Sequence, residues 1–171
     1  MPCHASSYPS LLSSTQIRAL EASLASQLPP YTLMARAGEA TARLALAMAP
    51  HARRIWVACG TGNNSGDGLE AAIHLHAAGK AVHLSMLPTG GKSLPADAAQ
   101  ALQRAQAAGL ACHDDAPADY DLIIDALWGI GLRADLQLAP GDRAAQWLQQ
   151  IYHTDRDVLC IDTPSGLQAD T

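Results

Sequence analysis

The sequence contains no phenylalanine, and aromatic residues make up only 4% of its 171 positions. With alanine abundant, this predicts helices packed closely on a sheet through small side chains rather than around an aromatic core. The four cysteines, Cys3, Cys59, Cys112 and Cys160, include no CxxC pair, and the last three fall in or beside predicted strands. Among the seven histidines, His74 and His76 stand two apart on a predicted helix and point to different faces. Buried, reduced thiols are therefore expected, with no zinc or other transition-metal site. No basic run accompanies the formal charge of -5, so neither nucleic acid nor a membrane surface is an expected partner. The apolar stretches are too short or too interrupted to span a bilayer, and the first sixteen residues lack the basic start and apolar middle of a signal peptide, which makes the expected location cytoplasmic. No internal repeat, low-complexity tract or flexible linker divides the chain. What is present, 49% hydrophobic and 16% charged residues, suits one well-buried domain.

The chain is organised around residues 55–69, IWVACGTGNNSGDGL. Ile55 to Ala58 reads as a buried parallel strand, and Leu69, Ala72, Ile73 and His76 recur at helical spacing. The segment between them is a strand-to-helix turn, where glycines let backbone amides approach a charged ligand and the helix N-terminus adds positive potential. Gly60, Gly62, Gly66 and Gly68 fit that need. Their spacing departs from the ordinary dinucleotide fingerprint, because Ser65 stands where Gly or Ala is required. Strand two, Ala81 to Leu87, runs into Pro88-Thr89-Gly90 without the carboxylate that holds a ribose hydroxyl, which also weighs against an NAD-dependent oxidoreductase. Gly91-Lys92-Ser93 is no P-loop, since Met86 occupies the position that needs glycine. Asn63, Asn64 and Asp67 crowd amides and a carboxylate into the turn, and simple turn and cap chemistry accounts for them as readily as ligand binding does.

Taken in order, Ser14 to Ser26 forms a first helix with Ser13 and Ser14 as caps and Ile17, Leu20 and Leu24 as its apolar stripe, and Leu33 to Met48 a second. Strand one, the helix to about Ala78 and strand two follow, then a helix over Pro95 to Ala108 and a short strand, Leu110 to His113. Tyr120 to Leu127 is a buried fourth strand carrying Asp125, and a glycine-bearing loop, Trp128 to Ala134, leaves its end. Asp142 can cap a helix from Arg143 to about His153, and the fifth strand, Val158 to Ile161, ends in Asp162-Thr163-Pro164-Ser165-Gly166. Three of the five strands thus bring oxygen-bearing side chains to one edge of the sheet. The expected fold is α/β, a Rossmann-like doubly wound three-layer sandwich with a mainly parallel central sheet in the order 3-2-1-4-5 and two helices, residues 14–48, ahead of the first strand. The site belongs at the switch point between strands one and four.

Four segments, LMARAGEA from Leu33, GTGNNSGDGL from Gly60, DALWGIGL from Asp125 and IDTPSGL from Ile161, resemble in order and spacing the YjeF N-terminal domain family, the NAD(P)HX epimerases. The resemblance covers the chain from Thr15 onward. It implies repair of nicotinamide cofactor, by interconversion of the R and S forms of hydrated NADH or NADPH, with an NAD(P)HX dehydratase, fused or separate, as functional partner. Carried over, Asn63, Asn64, Ser65, Gly66 and Asp67 would hold the substrate, and Gly129, Ile130, Gly131, Leu132, Arg133, Ala134 and Asp135 would close over it. Asn64, Asp125 and Ser165 match the family's potassium ligands, and all three offer hard oxygen donors. Asp162 falls beside the hydrated ring and is the expected general acid or base as well as a substrate contact, with substrate binding alone as its other reading. Asp67 is expected to bind or orient rather than catalyse. Ser65 replaces the family's usual glycine, so a left-handed backbone there would be strained. Trp128 is bulkier than the usual residue. The family's domain continues beyond the position matched by Thr171, so this single domain is expected to be cut short at its C-terminal end, with strand five as an uncovered edge. A homodimer is the family expectation. The competing reading is a non-catalytic nucleotide- or partner-binding module of the same fold.

Overall fold

A computed structural model describes residues 11–132 and 136–170. Strands β1 (Arg54–Cys59), β2 (Ala81–Met86), β3 (Cys112–His113), β4 (Leu122–Ala126) and β5 (Asp157–Cys160) form one sheet in the order β3-β2-β1-β4-β5, and every pairing is parallel. The expected strand order is the observed one. Helices α1 (Ser14–Ala25) and α2 (Thr32–Met48) precede β1, α3 (Asn63–Ala77) and α4 (Ala96–Ala107) connect β1 to β2 and β2 to β3, and α5 (Arg143–His153) lies between β4 and β5.

Alternation along β1 sorts the core into two layers. Ile55, Val57 and Cys59 point to the side covered by α2, α3 and α4, where Ala42, Ala45, Ala71, Ala72, Ala101 and Ala105 let the helices sit close. Trp56 and Ala58 point to the other side, against Ile123, Leu127, Trp147 and Ile151. There the expectation of a core without aromatics needs correcting. Trp56 meets Trp147 edge-on with ring centroids 6.0 Å apart and Tyr120 at 5.6 Å. A single 11-residue helix covers this face among the described residues, so large rings fill space that three helices fill on the other.

Other elements differ in detail. The two residues of β3 are both exposed, and with them Cys112; of the cysteines described only Cys59 is buried, Cys160 being intermediate, so the expectation of buried thiols holds for one, while Cys3 lies outside the described residues. Ser13 caps α1 in a reciprocal box with Gln16, as the sequence suggests, yet α1 buries none of its residues, and Leu20 and Leu24 of its apolar stripe are 50% and 42% exposed. Asp142 stands at the N-cap of α5 but gives its carboxylate to Ala139 N–H, 2.8 Å away, instead of to the helix. Helices α2, α3 and α4 share one buried charge: Glu70, with a fully buried side chain, accepts from Arg104 Nε at 2.6 Å and from the Tyr31 hydroxyl. Among the described residues no helix is long and apolar enough to cross a membrane.

Candidate functional site

Strands β1, β4 and β5, neighbours in the sheet, end at one level, with Ala58, Asp125 and Cys160 in register. The chain leaving each strand is stitched to its neighbour. Gly60 N–H donates to Ala126 O at 3.1 Å and Ile161 N–H to Asp125 O at 2.9 Å. A side chain at Gly60 would overlap the Leu127 carbonyl, so only glycine lets the first loop pass so near the second. A cavity of about 550 Å³ opens over this junction. Gly62, Asn63, Asn64 and Asp67 form one wall, residues 127–132 another, and Ile161 and Asp162 the floor. That volume lies within the usual range for a small-molecule or cofactor site.

Asp162 is held in a left-handed conformation, φ 68°, one of two non-glycine residues described with positive φ. The position reverses the chain after β5 and turns the carboxylate toward the β4 loop, where Oδ2 accepts Ile130 N–H at 2.6 Å. Gly129 makes this contact possible, because a Cβ there would lie 3.0 Å from Asp162 Cγ and overlap Oδ2. Across the cavity, burial first, then the charges of Glu21 and Asp162, push the Asp67 carboxyl from 3.8 up to about 7. Folding favours the protonated form, so this contribution is complete below about pH 4 and is lost as pH rises to about 7. Asp67→Asn protein should gain on the order of 2–4 kcal/mol over wild type between pH 4 and pH 8. Denaturant midpoints across that range would measure it, and parallel pH profiles for the two proteins would refute it.

Residues 30–171 match the family model described as YjeF-related protein N-terminus. The chain belongs to the YjeF N-terminal family. It is 42% identical over 139 residues to the NAD(P)H-hydrate epimerase of Bordetella pertussis, covering 80% of this chain and 58% of that protein. With the NAD(P)H-hydrate epimerase of Achromobacter xylosoxidans it shares 38% over 144 residues, 81% of this chain and 65% of the relative. The bifunctional NAD(P)H-hydrate repair enzyme Nnr of Escherichia coli matches at 38% over 144 residues, 82% of this chain but 27% of its own length. The chain therefore spans less than two thirds of these relatives. A crystal structure of the yeast protein ynu0, YNL200c, superposes with a TM-score of 0.78 over 92% of this chain and 72% of that one at 18% identity, a likeness of fold.

Against the YjeF family motifs, the glycine-rich turn holds a surprise. Helix α3 already begins at Asn63, so Ser65, Gly66 and Asp67 are helical rather than looped. Ser65 has no left-handed backbone and hence no strain there; buried, its hydroxyl donates to Gly62 O at 2.5 Å. Gly66 is buried against Met34, and neither Ser65 nor Gly66 lines the cavity, whereas Asn63, Asn64 and Asp67 do. With glycine at the N-cap and no side-chain cap, the first-turn amides of α3 are left for a ligand. Gly129, Ile130, Gly131 and Leu132 line the opposite wall; Arg133, Ala134 and Asp135 lie outside the described residues. Trp128 is accommodated in the cavity wall and packs partly against the Trp56 layer.

Beneath the cavity, Asp125 is 1% exposed and receives Ser165 Oγ at 2.6 Å, Ser165 N–H at 2.9 Å and Leu127 N–H at 3.2 Å. Burial first, and then the neighbouring Asp125 carboxylate, push the Cys160 thiol up to about 11. Among the described residues no basic side chain pairs with this buried carboxylate. Asn64 Oδ1 and Nδ2 and Thr163 Oγ1 are buried with no hydrogen-bond partner among the described residues. A buried carboxylate at the end of β4, with orphaned oxygens on the first turn of α3 and on the turn after β5, suits a large monovalent cation.

Three contributors escape the sequence reading. Arg18 and Glu21 of α1 line the cavity, Arg18 Nη2 donating to Ile130 O at 3.0 Å, and Thr163 supplies an orphaned hydroxyl. Arg18 and Glu21 stand three apart on the polar side of the apolar stripe, and only the packing of α1 over the β4 loop makes them site residues.

Proposed function

We infer that this chain epimerises hydrated NADH and NADPH, interconverting their R and S forms in cofactor repair. The observation that carries the reading is the Asp162 carboxylate, exposed at the cavity floor and held by Ile130 N–H at the end of a strained turn. Inverting a carbinolamine-like carbon requires its hydroxyl to leave or its ring bond to open. In either case a carboxyl beside that carbon takes up or returns the proton. The uncapped α3 N-terminus faces the substrate's phosphates, Asn63 and Asn64 hydrogen-bond its polar groups, and residues 129–132 exclude water above the ring. Asp67, raised to about 7 by burial and by the charges of Glu21 and Asp162, is protonated in a large share of molecules at neutrality, and in that form it donates a hydrogen bond where an ionised group would repel the phosphates. The names of the epimerase relatives support the same substrate.

Asn64, Asp125 and Ser165 would hold potassium, with Thr163 as a fourth oxygen supported by its orphaned state. When bound, the ion neutralises Asp125 and fixes the three turns in one geometry. A separated epimer of NADPHX should re-equilibrate faster with protein and potassium than with protein and choline. Potassium should also raise the thermal midpoint of wild type by a few degrees but not that of Asn64→Ala. Epimer exchange that ignores both protein and potassium would remove the reading. A homodimer is consistent with the exposed Leu20, Leu24, Leu44 and Met48 and is checked by molar mass in solution. The functional partner is an NAD(P)HX dehydratase that consumes one epimer, a pairing that the bifunctional relatives support.

A further inference from the structure

A second group of ligating side chains assembles at the far edge of the sheet, where β2 meets β3. His83, His113 and Asp115 each offer one ligand atom, all three atoms within 4.8 Å of one another. The expectation of no transition-metal site rests on linear spacing, whereas His83 comes from β2, His113 from β3 and Asp115 from the turn after it. Parallel pairing sets Ser85 opposite His113, and His83, two residues before Ser85, shares its face. The two imidazoles stack with centroids 4.3 Å apart and planes 17° from parallel.

The group is also anchored. His83 Nε2 lies 3.1 Å from the Asp115 carbonyl oxygen, and because a carbonyl only accepts, Nε2 carries the proton and Nδ1 keeps its lone pair for an ion. The same carbonyl accepts Ser85 Oγ at 2.6 Å, and Ser85, fully buried, accepts Trp56 Nε1 at 3.0 Å. The backbone of Asp115 is thereby tied to the aromatic core, while the side chains of His113 and Asp115 are exposed to solvent. Metal–nitrogen bonds of about 2.0–2.1 Å bring tetrahedral donors to roughly 3.3 Å, a closure that rotation of those two exposed side chains supplies.

We propose that His83, His113 and Asp115 bind one divalent first-row transition ion, Zn²⁺ being the probe of choice, with water completing its coordination. Two imidazoles and a carboxylate favour such an ion over Mg²⁺ or Ca²⁺. The ion ties the two-residue strand β3 to β2 and blunts a free edge of the sheet. It lies two strands from β4, so its existence is independent of the epimerase reading.

The test uses the whole chain without a polyhistidine tag, titrated calorimetrically with ZnCl₂ and, as a spectroscopic probe, CoCl₂. One ion per chain and a higher thermal midpoint with Zn²⁺ but not Mg²⁺ are expected. His113→Ala and Asp115→Asn, both at exposed positions, should each weaken Zn²⁺ at least about tenfold while leaving the metal-free midpoint unchanged. His83→Gln should do the same. Cys112→Ser, which alters the exposed thiol beside His113, should leave affinity and the cobalt spectrum as they are. Wild-type affinity in His113→Ala, loss of binding in Cys112→Ser, or no saturable binding by wild type would each overturn the proposal.

Discussion

Asp162→Asn protein is expected to lose about 10² to 10⁴ in the rate of epimer exchange while folding as well as wild type. Asparagine is nearly isosteric with aspartate, tolerates left-handed backbone, and can still accept Ile130 N–H through its amide oxygen. What it cannot do is carry a proton to or from the substrate. The substitution therefore removes acid–base function and leaves the turn, the hydrogen bond and the cavity in place. It also separates the enzyme from a binding module of the same fold. If Asp162 only contacts substrate, exchange in the variant should fall in proportion to affinity and recover at saturating NADPHX. If Asp162 moves the proton, the loss persists at saturation and the pH dependence of the residual rate changes form. A variant retaining more than a tenth of the saturated rate would assign the chemistry elsewhere, with Asp67 the next carboxyl to replace.

Much of this site is legible in the sequence because buried parallel strands are written as continuous apolar runs. Polar residues at their carboxyl ends, such as Asp125 and Asp162, then stand out. The sheet order follows from where those runs fall and from the right-handed crossovers between them. What escapes is whatever depends on contact between elements distant in sequence. Helix α1 shows an apolar stripe, yet the contacts that attach it are polar ones, Arg18 to Ile130 O and Ser14 to Asp170. No periodicity reports such contacts. The buried state of Asn64 and Thr163 is likewise a property of the α3 N-terminus meeting the ends of β4 and β5, and the pairing of His83 with His113 a property of strand register. Ser65 illustrates the converse error. A glycine-rich string suggests loop conformations, but the helix begins early and a serine fits it without strain.

The placement of Asp162 yields the second large effect, and Gly129 is the residue that exposes it. Gly129 does not have positive φ, so alanine there meets no backbone penalty. Its obstacle is the Asp162 carboxylate, which a Cβ would overlap. The carboxylate is the softer partner and must swing away, breaking its hydrogen bond from Ile130 N–H, or the β4 loop must shift. Either movement carries the Asp162 carboxylate off by about an ångström, a displacement that costs roughly 10² in rate where that group moves the proton, as proposed. Gly129→Ala should thus lower epimer exchange by about that factor and shift the denaturant midpoint little. The cause can be isolated by a double-mutant cycle, since a misplaced carboxylate cannot be lost twice. In the Asp162→Asn background, Gly129→Ala should cost no more than a fewfold further loss, because the amide has no proton to position. Full additivity of the two losses would mean that Gly129 serves the substrate directly, through backbone approach to the ring, and that the contact with Asp162 is incidental to the rate.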